Sequence, residues 1–252
     1  MNVEVCAYSL ESCRVAQRAG AHRIELCASP PEGGTTPPAG LVLLAKIHTT
    51  LPVCVMARPR GGDFCYTDSE FEQLQADVET ARRLGANGVV LGLLRPDGTV
   101  DVPRTRQLVE LAHPLPVTFH RAFDMTRNLA EALEAVVEAG CQRLLTSGGR
   151  PTAFEGRETL AQLAQQAGSR IELIAGSGVN GQNAAELLQT GIRTLHLTGR
   201  SARPSAMQFR KPGLSMGGNP VVPEYEIFEA DEEKIRAVVD IVGRVDNPPR
   251  LS

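Results

Sequence analysis

Eight short apolar runs, each followed by a segment of helical periodicity, recur at near-regular intervals along this chain. They lie near residues 3–6, 23–27, 53–56, 88–91, 117–120, 143–146, 171–175 and 194–197. The 191 residues from Val3 to Thr194 make seven steps of about 27, the length of a strand, a helix and two turns. Amphipathic segments such as 69–84 and 128–139 fill the gaps. Several end at glycine (Gly20, Gly85, Gly140, Gly191), whose left-handed conformation stops a helix. Eight βα units in 252 residues predict an α/β fold, a closed (β/α)8 TIM barrel formed by 1–252 as a single domain. An open doubly wound sheet is the rival, but the Gly-rich turn usual after its first strand is missing. Residues 200–225 break the repeat and read as an irregular loop, 231–243 as a closing helix and 246–252 as a frayed tail.

Composition narrows the function classes. At 42% hydrophobic and 22% charged the chain has the make-up of a globular domain. A net charge of −3 provides no basic footprint, so neither nucleic acid nor an anionic membrane is expected as a partner. No stretch approaches the ~18 apolar residues of a membrane span, and the first residues lack an export pattern, so the expected location is cytoplasmic. The cysteines at 6, 13, 27, 54, 65 and 141 form no CxxC pair. In a reducing compartment they are core fillers or soft-metal ligands. Lys46, Lys211 and Lys234 are the only lysines; none falls at a strand end, which argues against Schiff-base chemistry.

Strand parity points to what the barrel encloses. Successive side chains on a strand face opposite sides. With Val3, Val5, Ile24, Leu26, Val53, Val55, Val117, Phe119, Leu195 and Leu197 toward the helices, the inward set becomes Glu4, Cys6, Glu25, Cys27, Cys54, Met56, Arg58, Thr118, His120 and His196. Branched apolar residues normally fill a barrel. The inward polar set is therefore either a satisfied network, Glu4 and Glu25 pairing with Arg58 and Arg121, or a site. As a site, Glu4, Glu25, His120 and His196 are candidate acid–base groups, or ligands of a divalent metal. Arg58, Arg60 and Arg121 would hold a carboxylate or phosphate. The amides of Gly176 and Gly178, read as a helix start, would add donors. The loop 28–38 is a candidate lid.

The blocks Val3-Glu-Val-Cys6, Arg23-Ile-Glu-Leu-Cys27, Gly33-Gly-Thr-Thr-Pro37, Arg58-Pro-Arg-Gly-Gly-Asp-Phe64, Thr118-Phe-His-Arg-Ala-Phe-Asp124 and Leu145-Thr-Ser-Gly148 resemble the signature of the CutC family, described as copper homeostasis proteins. The resemblance runs from residue 3 to about 243. It implies a TIM barrel, a cytosolic location and a homodimer or homotetramer. In the animal members the cysteines ending the first two strands are proposed Cu(I) ligands; they match Cys6 and Cys27. Cys54 and Cys65 stand where the pattern has apolar residues, and copper is not carried onto them. Thiolate is the soft ligand Cu(I) prefers, and strands ~4.8 Å apart would let Cys6 and Cys27, at matching heights, share one ion. The first expectation is thus a cytosolic protein that binds and moves Cu(I). The alternative is a barrel enzyme whose Glu and His groups act on a small anionic molecule, phosphorylated or a sugar acid. A third is a barrel that only binds a partner.

Overall fold

The computed structural model describes residues 1–214 and 223–246. The eight apolar runs form β1 (Asn2–Ala7), β2 (Arg23–Leu26), β3 (Val53–Met56), β4 (Gly88–Leu91), β5 (Val117–Phe119), β6 (Arg143–Thr146), β7 (Glu172–Gly176) and β8 (Thr194–Leu197). Each pairs in parallel with the next, and β8 returns to β1, so the sheet closes into a barrel. The helices are α1 (Leu10–Arg18), α2 (Ala39–His48), α3 (Asp68–Arg83), α4 (Val102–Ala112), α5 (Leu129–Glu138), α6 (Arg157–Ala167), α7 (Ala184–Gln189) and α8 (Glu232–Asp246). Local chemistry sets several helix starts. Ser9 accepts from Ser12 N, Asn128 from Ala130 N, and Thr67 with Glu70 forms a capping box before α3.

Alternation along the strands separates two apolar populations. Val3, Val5, Ile24, Leu26, Val53, Val55, Phe119 and Leu195 belong to the layer between barrel and helices. Cys6, Cys27, Cys54, Met56 and Val90 form a second, enclosed cluster, with Tyr8 against it. The barrel axis therefore carries sulfur and charge where other barrels carry branched carbon.

The segment after β8 corrects the expected irregular loop. Arg200–Pro204 is a strand, β9, paired antiparallel with β10 (Glu226–Ala230) from Arg200↔Ala230 to Glu226↔Pro204. Both strands are short and largely exposed, so neither shows the half-buried alternation that marks a strand in sequence. Helix α8 continues to Asp246, whose carboxylate accepts from the Met1 amino group at 2.6 Å. Residues 215–222 of the expected loop and 247–252 of the expected tail lie outside the described residues.

Candidate functional site

The floor of the site is built by β1, β2 and β8 at their C-terminal ends, the end that carries function in such barrels. Ladder register sets Glu4 beside Arg23 on one side and His196 on the other, and Cys6 beside Glu25. Cys27 is thus two residues farther along than the strand neighbour of Cys6, and the expectation of matching heights is corrected. Strand tilt and stagger in a closed barrel produce the offset. The sulfurs nonetheless lie 3.7 Å apart, and Cys27 Sγ lies 3.4 Å from Glu25 Oε1. One ligand atom each from Cys6, Glu25 and His196 lie within 4.8 Å of one another.

Each group takes a definite charge from its surroundings. Burial would raise the Glu4 carboxyl, but the His196 hydrogen bond (Oε1 to Nδ1, 2.8 Å) and the Arg23 guanidinium hold it at about 2. Burial opposes charge on His196, yet Glu25, Cys6 and Glu4 keep its imidazole well above the ordinary range. Its Nδ1 is taken by Glu4, which leaves Nε2 for Cys6. Hydrogen bonding from Cys27 holds the Cys6 thiol well below the usual range against burial, with His196 and Tyr8 adding to the effect. Burial pushes Cys27 the other way, so it keeps its proton. Burial lifts the Glu25 carboxyl to about 8 despite the nearby His196 charge. The floor thus favours charge on Glu4 and His196, eases ionisation of the Cys6 thiol, and opposes ionisation of Cys27 and Glu25.

Above the floor opens a cavity of about 510 Å³, lined among others by Cys6, Tyr8, Glu25, Arg58, Phe64, His120, Arg121, Asp124, Gly178 and His196. Glu4 does not line it. Fully buried, it sits beneath His196 in a network that continues through Arg23 to Glu172 and Arg143. Its expected place in the cavity is corrected: it orients His196. The satisfied network expected around Arg58 is built instead from Arg23, which lies on the inward parity of β2. Arg58 is buried under the loops and donates from Nη1 to the carbonyls of Glu32 (2.6 Å) and Gly34 (2.9 Å), and from Nη2 to Gly62 (2.9 Å). It clasps loop 28–38 to the loop after β3. Gly34 in that loop packs on Cys27, where a Cβ would come within 3.2 Å of Sγ.

The remaining expectations divide. Arg121 lines the cavity, fixed by Asp124 (Nε to Oδ2, 2.8 Å) and Ser147 (Nη2 to Oγ, 2.9 Å). Asp124 also accepts from Thr146 Oγ1 (2.5 Å) and from the amides of Ser147 and Gly149 (both 3.0 Å). The sequence marks it only as the end of a block, because its several partners come from another loop. Arg60 is corrected: its guanidinium is committed to Glu70 (2.5 Å) and Asp63 (3.1 Å), away from the cavity lining. Gly176 is corrected too. It does not line the cavity, and its missing side chain makes room for Leu145, whose Cδ1 would lie 2.6 Å from a Cβ. No helix starts at Gly178; α7 begins at Ala184.

The model of the CutC family matches residues 1–201. A family protein CutC of Bacteroides fragilis is 44% identical over 241 residues, covering 95% of this chain and 96% of its own. One of Chromobacterium violaceum is 47% identical over 243 residues, covering 96% and 98%. Among solved structures, a CutC from Streptococcus agalactiae, assigned by name to copper homeostasis, superposes with a TM-score of 0.75 at 32% identity, covering 79% of this chain and 99% of its own. A thiamine phosphate pyrophosphorylase from Pyrococcus furiosus shares the fold alone, at a TM-score of 0.60 and 18% identity over 97% and 96% of the two chains.

Proposed function

Starting from the fact that this chain belongs to the CutC family, we propose that it binds one Cu(I) ion between Cys6 and Cys27, with His196 as a third ligand, and passes it on through the cavity above. The observation that carries this reading is the 3.7 Å separation of the two sulfurs. Two thiolates on one three-coordinate ion, with metal–sulfur bonds of about 2.3 Å, stand about 4.0 Å apart at a trigonal angle, close to the separation seen. Soft sulfur favours Cu(I) over the hard divalent ions. The carboxylate–histidine pair of Glu4 and His196 has the form that orients a metal-bound imidazole from behind. Glu4, Arg23 and His196 thus find a use beside two thiols, which the sequence alone did not suggest. Binding displaces the Cys27 proton and the Nε2 proton of the His196 imidazolium, so affinity rises with pH.

An anaerobic titration against a chromophoric Cu(I) chelator tests the reading. The wild-type chain should withdraw one equivalent, and so should Cys13→Ser and Cys141→Ser. The double variant Cys6→Ser, Cys27→Ser should withdraw none. The same stoichiometry in that variant would end the copper assignment.

A further inference from the structure

The cavity is far larger than a metal ion needs; its volume of about 510 Å³ falls in the range of small-molecule sites, ~300–1,000 Å³. Its wall also contains buried polar atoms that the protein leaves without a partner. Among the described residues these include His120 Nε2, on a side chain that lines the cavity. Buried donors without acceptors are rare in native proteins, so this one calls for an acceptor from outside.

The state of His120 follows from its contacts. The amide of Ala122 donates to Nδ1 at 3.2 Å, so in the neutral ring the proton is on Nε2. Gly92 backs the ring, where a Cβ would fall 2.4 Å from Nδ1. The Phe64 ring lies 5.0 Å from the imidazole and 4.8 Å from the Arg58 guanidinium, and adds an apolar face between the two donors. Arg121 stands on the same cavity with its side chain 41% exposed, held in a fixed pose by Asp124 and Ser147. Asp124 pairs with it through Nε and is itself held by Thr146 Oγ1 and the amides of Ser147 and Gly149. On the rim, Ser177 adopts a left-handed backbone at φ 81°, a strain that concentrates at ligand sites.

We propose that this cavity is a binding site for a small hydroxylated organic anion, a sugar acid or a sugar phosphate. The oxyanion rests on Arg121, a hydroxyl oxygen accepts from His120 Nε2, and a carbon face lies on Phe64. The site needs no metal and goes beyond the copper reading. Burial and the neighbouring Arg58 charge keep His120 neutral to about pH 3, so its donor pattern is constant across the physiological range.

The test is calorimetric titration of the full chain, with a Cu(I) chelator present, using gluconate, glucose 6-phosphate and uncharged glucose as probes. At least one of the two anions should bind saturably and more tightly than glucose, and the tighter of the two identifies the oxyanion. Arg121→Met should weaken that anion about tenfold or more and leave glucose unaffected, since only the charge-assisted contact is lost. His120→Asn keeps an acceptor for Ala122 N but removes the cavity donor, and should weaken binding of the anion with Arg121 intact. No saturable binding of either anion at millimolar concentration overturns the proposal. So does an anion affinity that survives Arg121→Met.

Discussion

At the residue scale the governing fact is that Glu4 is fully buried and ionised. A carboxylate in that position is tolerable only because Arg23 and His196 both contact it. Breaking such a set leaves an uncompensated buried charge, so Glu4→Gln should cost about 3 kcal/mol or more in urea unfolding. If Glu4 orients a copper ligand, the same variant should also weaken Cu(I) binding roughly ten- to a hundredfold in the chelator titration. A variant that loses stability but keeps copper affinity would make Glu4 purely structural. His120 carries a separate pH signature. Its folded pKa is lowered to about 3 by burial and by Arg58, against 6.5 for the free ring. The stability it contributes is present above pH 6.5 and is lost as pH falls from 6.5 towards 3. At about 1.36 kcal/mol per pH unit the loss reaches up to about 5 kcal/mol. Unfolding measured across that window should show a shallower acid limb for His120→Asn than for wild type. Parity in the sequence was enough to assign Glu4, Cys6, Glu25, Cys27, His120 and His196 to the axis. It could not rank their heights, because stagger is a property of the closed barrel, nor show that Arg58 would be drawn to loop carbonyls.

At the element scale the eight strands were legible because each carries a run of apolar residues that two layers must bury. The pair β9 and β10 was not, since exposed strands lack that pattern and their partner is remote in sequence. The loop after β6 has its own constraint. Gly148 and Gly156 cross backbone to backbone, and a Cβ on Gly156 would fall 1.9 Å from Ser147 O. Gly156→Ala should therefore destabilise the chain by about 3 kcal/mol, the upper end of ordinary substitutions, and disturb the Ser147 amide that holds Asp124. Gly243, exposed inside α8 with open space around its Cα, is the contrasting case. Gly243→Ala should stabilise by about 0.5–1 kcal/mol, through helix propensity alone. Thermal unfolding of the two variants should move in opposite directions.

At the scale of the whole molecule, α2 has a surface that the barrel does not use: Leu43, Leu44 and Ile47 are exposed on one helix. A homodimer or homotetramer, as the family resemblance implies, would use this face. Light scattering should give a mass above that of one chain, falling towards the monomer in Leu44→Glu with Ile47→Glu; a monomeric wild type would contradict it. Among the described residues no helix is long and apolar enough to cross a membrane. Copper ligation by the two sulfurs on the barrel floor is the property on which the function rests. X-ray absorption at the copper edge of the anaerobically loaded chain tests it most directly. Two sulfur neighbours and one nitrogen neighbour at bonding distance are expected, and Cys6→Ser, Cys27→Ser, which withdraws no copper, should give no such signal. Copper held by nitrogen and oxygen alone in the wild-type chain, or an unchanged spectrum in the double variant, would contradict it.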